Sequence, residues 1–334
     1  MEKYSFKSVF APHFYSFIKM KTAMGFAQVK FNVILKEFDL FFIEKNVSDL
    51  CITQSLISEW SKTRINDSRR TLYDKYSVIS QFCKYMCHTG YTCYIPRLPR
   101  RMFPDYIPYI FTHEQMLQIF RTCDTLIVAN KNMDCILFAL PALYRLLYST
   151  GIRIGEAISL KNEDFDCNRH YIIIKKTKNQ QQRLVPLNSS MLQILLQYKE
   201  ARESMPLDNT TASNNSFFIS PSGRPLTKSS VYNWFRVILK KCGIPHIGKN
   251  HGPRVHDIRH TCAVHSLMNQ VRSGADIYCV LPVLSVFLGH KTIKGTEKYV
   301  RLTQEMFPEI IKMEQSITPF VFPAQPEIFV SHEE

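Results

Sequence analysis

Between residues 94 and 108 the chain reads YIPRLPRRMFPDYIP, with four prolines, three arginines and no apolar periodicity. Proline fixes φ and withholds an amide donor, so this stretch can neither continue a helix nor sit inside a sheet. It forces a break and predicts two lobes joined by an extended, basic connector over 95–110. A chain of 334 residues is long enough to bury a core on each side of it. Upstream, residues 1–94 read as helical. Segment 26–44 places Phe26, Val29, Val33, Ile34, Phe38 and Phe41 at helical spacing. Thr53 precedes Leu56, Ile57 and Trp60 as an N-cap, and a third helix runs from Ser68 to Met86 and stops near Gly90. Downstream, Thr112 caps a helix and a longer apolar helix covers 135–149. The pattern then turns to a β-hairpin over 171–187, YIIIKK and QRLVPL about a polar turn. Helical patterns resume at 189–203, 228–242 and 256–270. The expected fold class is multidomain: an all-α N-terminal domain, then a mostly α domain over 111–314 with a small antiparallel β-sheet. A Pro-rich tail with apolar pieces follows over 315–334.

Net charge narrows the partner. Lys and Arg number 42 against 28 Asp and Glu, a formal +14. That excess disfavours self-association and favours a polyanion, nucleic acid first and an anionic membrane surface second. No window approaches the run of about 18 apolar residues that a helical span needs, and the opening MEKYSFKSVF has no apolar h-region. The ten cysteines are scattered rather than framed, which points to reduced thiols in a cytoplasmic setting. Cys83, Cys87, His88 and Cys93 invite a zinc reading. However, Cys83 and Cys87 fall one turn apart beside Val78, Ile79, Phe82, Tyr85 and Met86, and no separate second ligand pair follows. A packed helix face is expected there, with no metal and no other cofactor.

The residues with chemical potential lie after the connector. Arg153 sits in STGIRIGEAISL, where Gly151 turns the chain out of an apolar helix. His256, Arg259 and His260 in PRVHDIRHTCA are spaced i, i+3 and i+4, so one helix face carries two imidazoles and a guanidinium. Two histidines four apart can bind zinc, but Asp257 and Ile258 stand where an H-E-x-x-H helix needs its glutamate, and the arginine repels a cation. An anion fits better. The planar fork of arginine matches two non-bridging phosphate oxygens, and histidine can add a donor or move a proton near neutral pH. The sequence has no G-x4-G-K-[ST] loop and no ordered carboxylate trio of the two-metal kind.

In order, the chain gives TGIRIGE with Arg153, TKNQQQRLVPL with Lys178, HDIRH with His256 and Arg259, LGH with His290, and TEKYVRL with Tyr299, nine residues after that histidine. This ordered set resembles the catalytic domain of the tyrosine recombinase (phage integrase) family over residues 110–312. The helical part before it is similar, more weakly, to the family's core-binding domain. The resemblance implies a site-specific DNA recombinase that works through a 3′-phosphotyrosyl intermediate, without metal or ATP. Tyr299 would be the nucleophile, Arg153 and Arg259 the clamp on the scissile phosphate, and His290 a phosphate-bonding group. His256 would assist proton transfer and Lys178 would be the general acid. Lys176 is the alternative lysine, since neighbouring strand side chains point to opposite faces. Glu156 and His260 either orient the arginines and the helix or are ordinary polar helix positions.

The same resemblance implies double-stranded DNA with specific recombination sites as partner, a tetramer on two duplexes, related recombinases encoded nearby, and no membrane. Arg69, Arg70 and Lys75 open the third helix, Arg100 and Arg101 lie on the connector, and Arg224 and Lys228 stand at a helix start where backbone amides favour phosphate. All seven are candidate DNA contacts. The tail is expected either to dock on a neighbouring protomer or to pack on its own body. The stretch SVFAPHFYSFIKMKTAMG resembles recombinases of bacterial mobile elements, so integration, excision or transposition is the expected role. Two alternatives stand beside it. A non-catalytic DNA-binding relative would be free to lose some of the six residues, and a type IB topoisomerase is disfavoured by length and by the TGIRIGE and LGH boxes.

Overall fold

The computed structural model describes residues 5–100, 107–127, 133–175, 182–207, 210–244, 246, 252–290 and 292–306. The chain divides into two compact units, Met1–Tyr106 and Ile107–Glu334. No helix among the described residues is long and apolar enough to cross a membrane.

The first unit holds four helices: α1 (Ala11–Ala23), α2 (Gln28–Glu44), α3 (Gln54–Lys62) and α4 (Arg69–His88). Its core is aromatic, with Phe10, Phe14, Phe17, Phe38, Phe42, Trp60 and Phe82 buried together. Each ring of that size contributes roughly 1.5–3 kcal/mol of burial. Thr53 and Ser68 cap α3 and α4 by accepting from the amides of Leu56 and Thr71, and the cap at Thr53 is the one the sequence predicts. The buried face of α2 differs from expectation. Phe31, Ile34, Leu35, Phe38 and Phe42 point inward, whereas Phe26, Val29 and Val33 stay exposed at 52%, 73% and 54%. Two apolar stripes compete on this helix, and the one with more aromatic bulk meets the phenylalanines of α1 and α4. Asp39 then has a use on the inner face, where its carboxylate accepts from the amides of Lys7 and Ser8 at 3.0 and 2.9 Å.

The second unit runs α5 (His113–Thr125), α6 (Leu140–Thr150), α7 (Ile154–Ala157), β1 (Phe165–Asp166), β2 (Tyr171–Ile174), β3 (Arg183–Pro186), α8 (Ser189–Glu203), α9 (Lys228–Lys241), α10 (Val255–Arg272), α11 (Ile277–Leu288) and α12 (Lys294–Met306). The strands form an antiparallel sheet in the order β1-β2-β3, with Ile172 opposite Val185 and Ile174 opposite Arg183. The short β1 is an addition to the expected hairpin. Thr112 closes a capping box with Gln115 at the start of α5.

Helix α10 is the axis of this unit and packs on α6, α11 and α12. Two helices end against it in left-handed caps, α6 at Gly151 (φ +59°) and α11 at Gly289 (φ +67°). Gly151 is required twice over. A Cβ there would stand 2.7 Å from Leu288 Cδ2 and 3.2 Å from Cys262 Sγ, in a backbone conformation that L residues rarely adopt. The missing side chain lets the C-terminal end of α6 lie against that of α11.

Candidate active site

Two helix ends meeting at one place leave unpaired carbonyls that carry partial negative charge. Arg259, on α10 and only 2% exposed, answers them. Its Nη1 donates to Gly151 O at 2.7 Å, and its Nη2 donates to Leu288 O at 2.8 Å and lies 2.9 Å from His290 Nε2. A guanidinium can only donate, so His290 Nε2 must accept and its proton must sit on Nδ1. That proton is directed to Thr296 Oγ1, 2.8 Å away on α12. Burial, with Arg259 and Arg153 alongside, pushes His290 down to about 4 and keeps it neutral.

Arg153 caps the one-turn helix α7. Its Nη1 donates to Glu156 Oε1 at 2.8 Å, its amide to Glu156 Oε2 at 3.0 Å, and its Nη2 reaches Gly289 O at 3.4 Å. Glu156 is 3% exposed and shared, because Arg183 Nη2 on β3 also donates to its Oε2 at 2.8 Å. Burial alone would raise this carboxyl. The hydrogen bonds from Arg183 and Arg153 outweigh burial and hold it below the usual carboxylate range. Arg183 lies so close to Gly289 that a Cβ there would stand 2.8 Å from Nη1.

Tyr299 on α12 is fully buried, with its hydroxyl 2.9 Å from His260 Nδ1. His256 packs edge-to-face on His260, ring centroids 4.8 Å apart, and the His290 ring lies nearly parallel to that of Tyr299 at 6.1 Å. Lys298 Nζ sits 5.0 Å over the Tyr299 ring. Burial raises the tyrosine hydroxyl, and the charge of Arg259 opposes it. One cluster therefore combines a phenol, three guanidiniums and three imidazoles, a set suited to holding an anion and moving a proton.

A family model described as "Phage integrase family" matches residues 110–306, more than half of the chain. The chain belongs to the phage integrase family. Among its curated relatives is the putative integrase/recombinase y4rB of Sinorhizobium fredii, 25% identical over 309 residues, 91% of this chain and 96% of the relative. The tyrosine recombinase XerC of Chlamydia caviae is 27% identical over 248 residues, 72% of this chain and 70% of the relative. Among solved structures, the integrase of the Tn1549 transposon in complex with transposon right end DNA aligns with a TM-score of 0.60 and 16% identity. That match covers 86% of this chain and 94% of the other and speaks for the fold.

In this integrase-family chain, the geometry gathers Arg153, His256, Arg259, His290 and Tyr299, all singled out in the sequence. Lys178 and its alternative Lys176 lie outside the described residues, as do Arg101 and the tail over 315–334. The DNA-contact candidates fare unevenly. Arg69, Arg70 and Arg100 are exposed. Arg224 is exposed and paired with Asp134 at 2.9 Å. Lys228 is exposed with its Nζ against Gly155, beside the Arg153 turn. Lys75 departs from expectation: its amine is buried between Glu37 and Asp67, where it serves the first unit's own ion network. In the cysteine-rich stretch, Cys83 is buried and Cys87 Sγ donates to Cys93 O at 3.3 Å. Among the described residues no group of three or more His, Cys, Asp or Glu could hold a metal ion.

Sequence reasoning missed Arg183 and undervalued His260. Arg183 was readable, since it alternates in phase with buried Val185 along β3, and a cation on the core-facing side of a strand needs a partner.

The histidines predict a pH response. His256, His265 and His290 are pushed down to about 4 and His260 to about 2, each mainly by burial. A depressed histidine means that the unfolded chain takes up protons below about 6.5 that the fold refuses. Stability from this source is complete above that pH and is lost as pH falls towards 4, by up to roughly 1.4 kcal/mol per pH unit for each histidine. The melting temperature of the second unit, followed by circular dichroism, should hold between pH 8 and 7 and fall steeply between 6.5 and 4.5. A flat profile would remove the burial argument.

Proposed function

We propose that this chain is a site-specific DNA recombinase whose nucleophile is Tyr299. The observation that carries the reading is the convergence of Tyr299, whose hydroxyl meets Arg259 and His260 and whose ring stacks on His290, with Arg259 and Arg153 at the abutting ends of α6 and α11. Breaking a phosphodiester with fixed protein charge requires donors aimed at the non-bridging oxygens as charge builds on them. Arg153 and Arg259 supply such donors, and His290 adds a third. Attack by Tyr299 forms the phosphorus–oxygen bond of a 3′-phosphotyrosyl link and expels the 5′ oxygen. Lys178 is the residue we assign to protonate that leaving group, with Lys176 as the alternative. The 5′ hydroxyl of a partner strand reverses the step, and since the link conserves the bond energy, neither ATP nor a metal is called for.

In this reading the N-terminal unit over 1–94 and the catalytic domain over 111–314, joined by the connector over 95–110, each bind specific double-stranded DNA. Arg69, Arg70, Arg100, Arg101, Arg224 and Lys228 face phosphates, and four copies assemble on two duplexes. Neutralising several phosphates gives a steep salt dependence of binding. The role we favour is integration, excision or transposition of a mobile element, supported by the character of residues 8–25.

The test is a nicked suicide duplex drawn from the chain's own genomic neighbourhood. A denaturant-resistant covalent adduct is expected, with mass spectrometry of protease fragments locating the DNA on Tyr299. An adduct mapped to another residue moves the nucleophile, and no adduct on any such duplex removes the enzymatic reading. Relaxation of supercoils without site preference would favour a topoisomerase instead.

A further inference from the structure

A buried phenol faces a problem that the phosphate clamp does not solve. Its proton must leave before or as the oxygen bonds to phosphorus, and Tyr299 is fully screened from water. An acceptor must already stand at bonding distance. The group that does so is His260, whose Nδ1 is 2.9 Å from the hydroxyl. Adjacent positions on α10 divide the labour: Arg259 points to the ends of α6 and α11, and His260 points to α12. His256, the histidine that family resemblance would assign to proton transfer, packs its ring on His260.

We propose that His260 is the general base that takes the Tyr299 proton during DNA cleavage, a catalytic role that rests on the recombinase reading. The O–H bond of Tyr299 breaks and its proton passes to His260 Nδ1 as the phenolic oxygen bonds to phosphorus. The bond to the 5′ oxygen breaks with its electron pair, and that oxygen takes a proton from the general acid. In the return step the 5′ hydroxyl attacks phosphorus and gives its proton back to the conjugate base of the general acid, the bond from phosphorus to the phenolic oxygen breaks, and the departing phenolate recovers its proton from the His260 imidazolium.

Electrostatics makes this base conditional. Burial first, then the charges of Lys298 on α12, and His256, Arg259 and Arg254 along α10, push His260 down to about 2. It is therefore neutral and ready to accept, but weak in the free protein. A phosphate held by Arg153 and Arg259 offsets those cations and strengthens the base, while the oxygen loses basicity as it bonds to phosphorus. The base gains strength when substrate is in place.

His260→Asn tests this directly. The asparagine oxygen can accept the hydrogen bond near the position of Nδ1 but cannot carry the proton away. Adduct formation on the suicide duplex at pH 7 should fall by about 10²–10⁴-fold, with DNA affinity by fluorescence anisotropy unchanged. The deficit should shrink by roughly tenfold per pH unit as alkaline solution takes over deprotonation, whereas wild type stays nearly flat. A variant within about threefold of wild type, or a deficit constant with pH, overturns the proposal in favour of a holding role. Should His260→Asn fail to fold, His260→Gln carrying 3-fluorotyrosine at position 299 gives the same reading: the more acidic phenol must recover most of the lost rate. If wild type itself forms no adduct, the recombinase reading falls and this role with it. If wild type is active and these variants behave otherwise, the proposal falls alone.

Discussion

Tyr299→Phe is expected to form no covalent adduct on any duplex while remaining folded and able to bind DNA. The ring is buried and stacks beside His290, so phenylalanine keeps the packing and removes one oxygen. The loss reaches His260 Nδ1, which is left buried without its hydroxyl, and removes the oxygen that Arg259 also meets. That costs about 1–3 kcal/mol, visible as a melting shift of a few degrees. No other group in the cluster is placed to substitute as nucleophile: His260 and His290 are engaged with Tyr299, Arg259 and Thr296, His256 packs on His260, and Lys298 sits over the face of the ring rather than at its hydroxyl. Gel analysis after denaturation reads the adduct, and anisotropy reads the binding. A residual adduct in the variant would place the nucleophile elsewhere, and a loss of binding would mean that the hydroxyl also holds DNA.

The site was more legible than its wiring. In the proposed recombinase reading, catalysis on a phosphodiester demands particular residue types at particular phases, so Arg153, Arg259, His290 and Tyr299 stand out as candidates in their boxes. What the boxes do not convey is which neighbour each side chain meets. His256 and His260 share one face of α10, and nothing in the local spacing says which of them reaches a tyrosine 39 residues beyond His260. Only the packing of α12 on α10 decides that. For Glu156 the sequence leaves open whether it orients the arginines or is an ordinary helix position, because its second arginine, Arg183, arrives from the sheet.

In the first unit the departures from expectation have a common cause: helical phase, not residue class, decides which face is buried. Lys75 falls on the same stripe as Val78, Ile79 and Phe82, at i, i+3, i+4 and i+7, and that spacing alone puts its amine inside. On α2 the valines and the buried phenylalanines lie on different sides of the helix. Strand β1 is two residues long and exists only because β2 offers it an edge, so no periodicity could announce it.

Arg259→Ala should damage fold and chemistry together, and the proportion is informative. In the free protein this guanidinium is a structural cap, satisfying Gly151 O and Leu288 O and fixing the tautomer of His290. Burial, then the nearby charge of Arg153, lowers it only to about 10, so it stays charged at neutral pH. Truncation leaves two buried carbonyls without donors, at about 1–3 kcal/mol each, partly offset by no longer holding a charge in the interior. A net loss of about 2–4 kcal/mol is expected by chemical denaturation. Catalysis loses more, because removing a fixed arginine from a phosphoryl-transfer site costs about 10³–10⁵-fold. Measured at low temperature, where the variant is still folded, adduct formation should drop by that factor. Arg259→Lys keeps the charge but cannot reach both carbonyls and His290 at once, so it should regain stability only in part and rate hardly at all. If Arg259→Lys restored the rate while the fold stayed weak, charge alone would suffice, and the fork geometry that joins two helix ends to the phosphate would have no catalytic role.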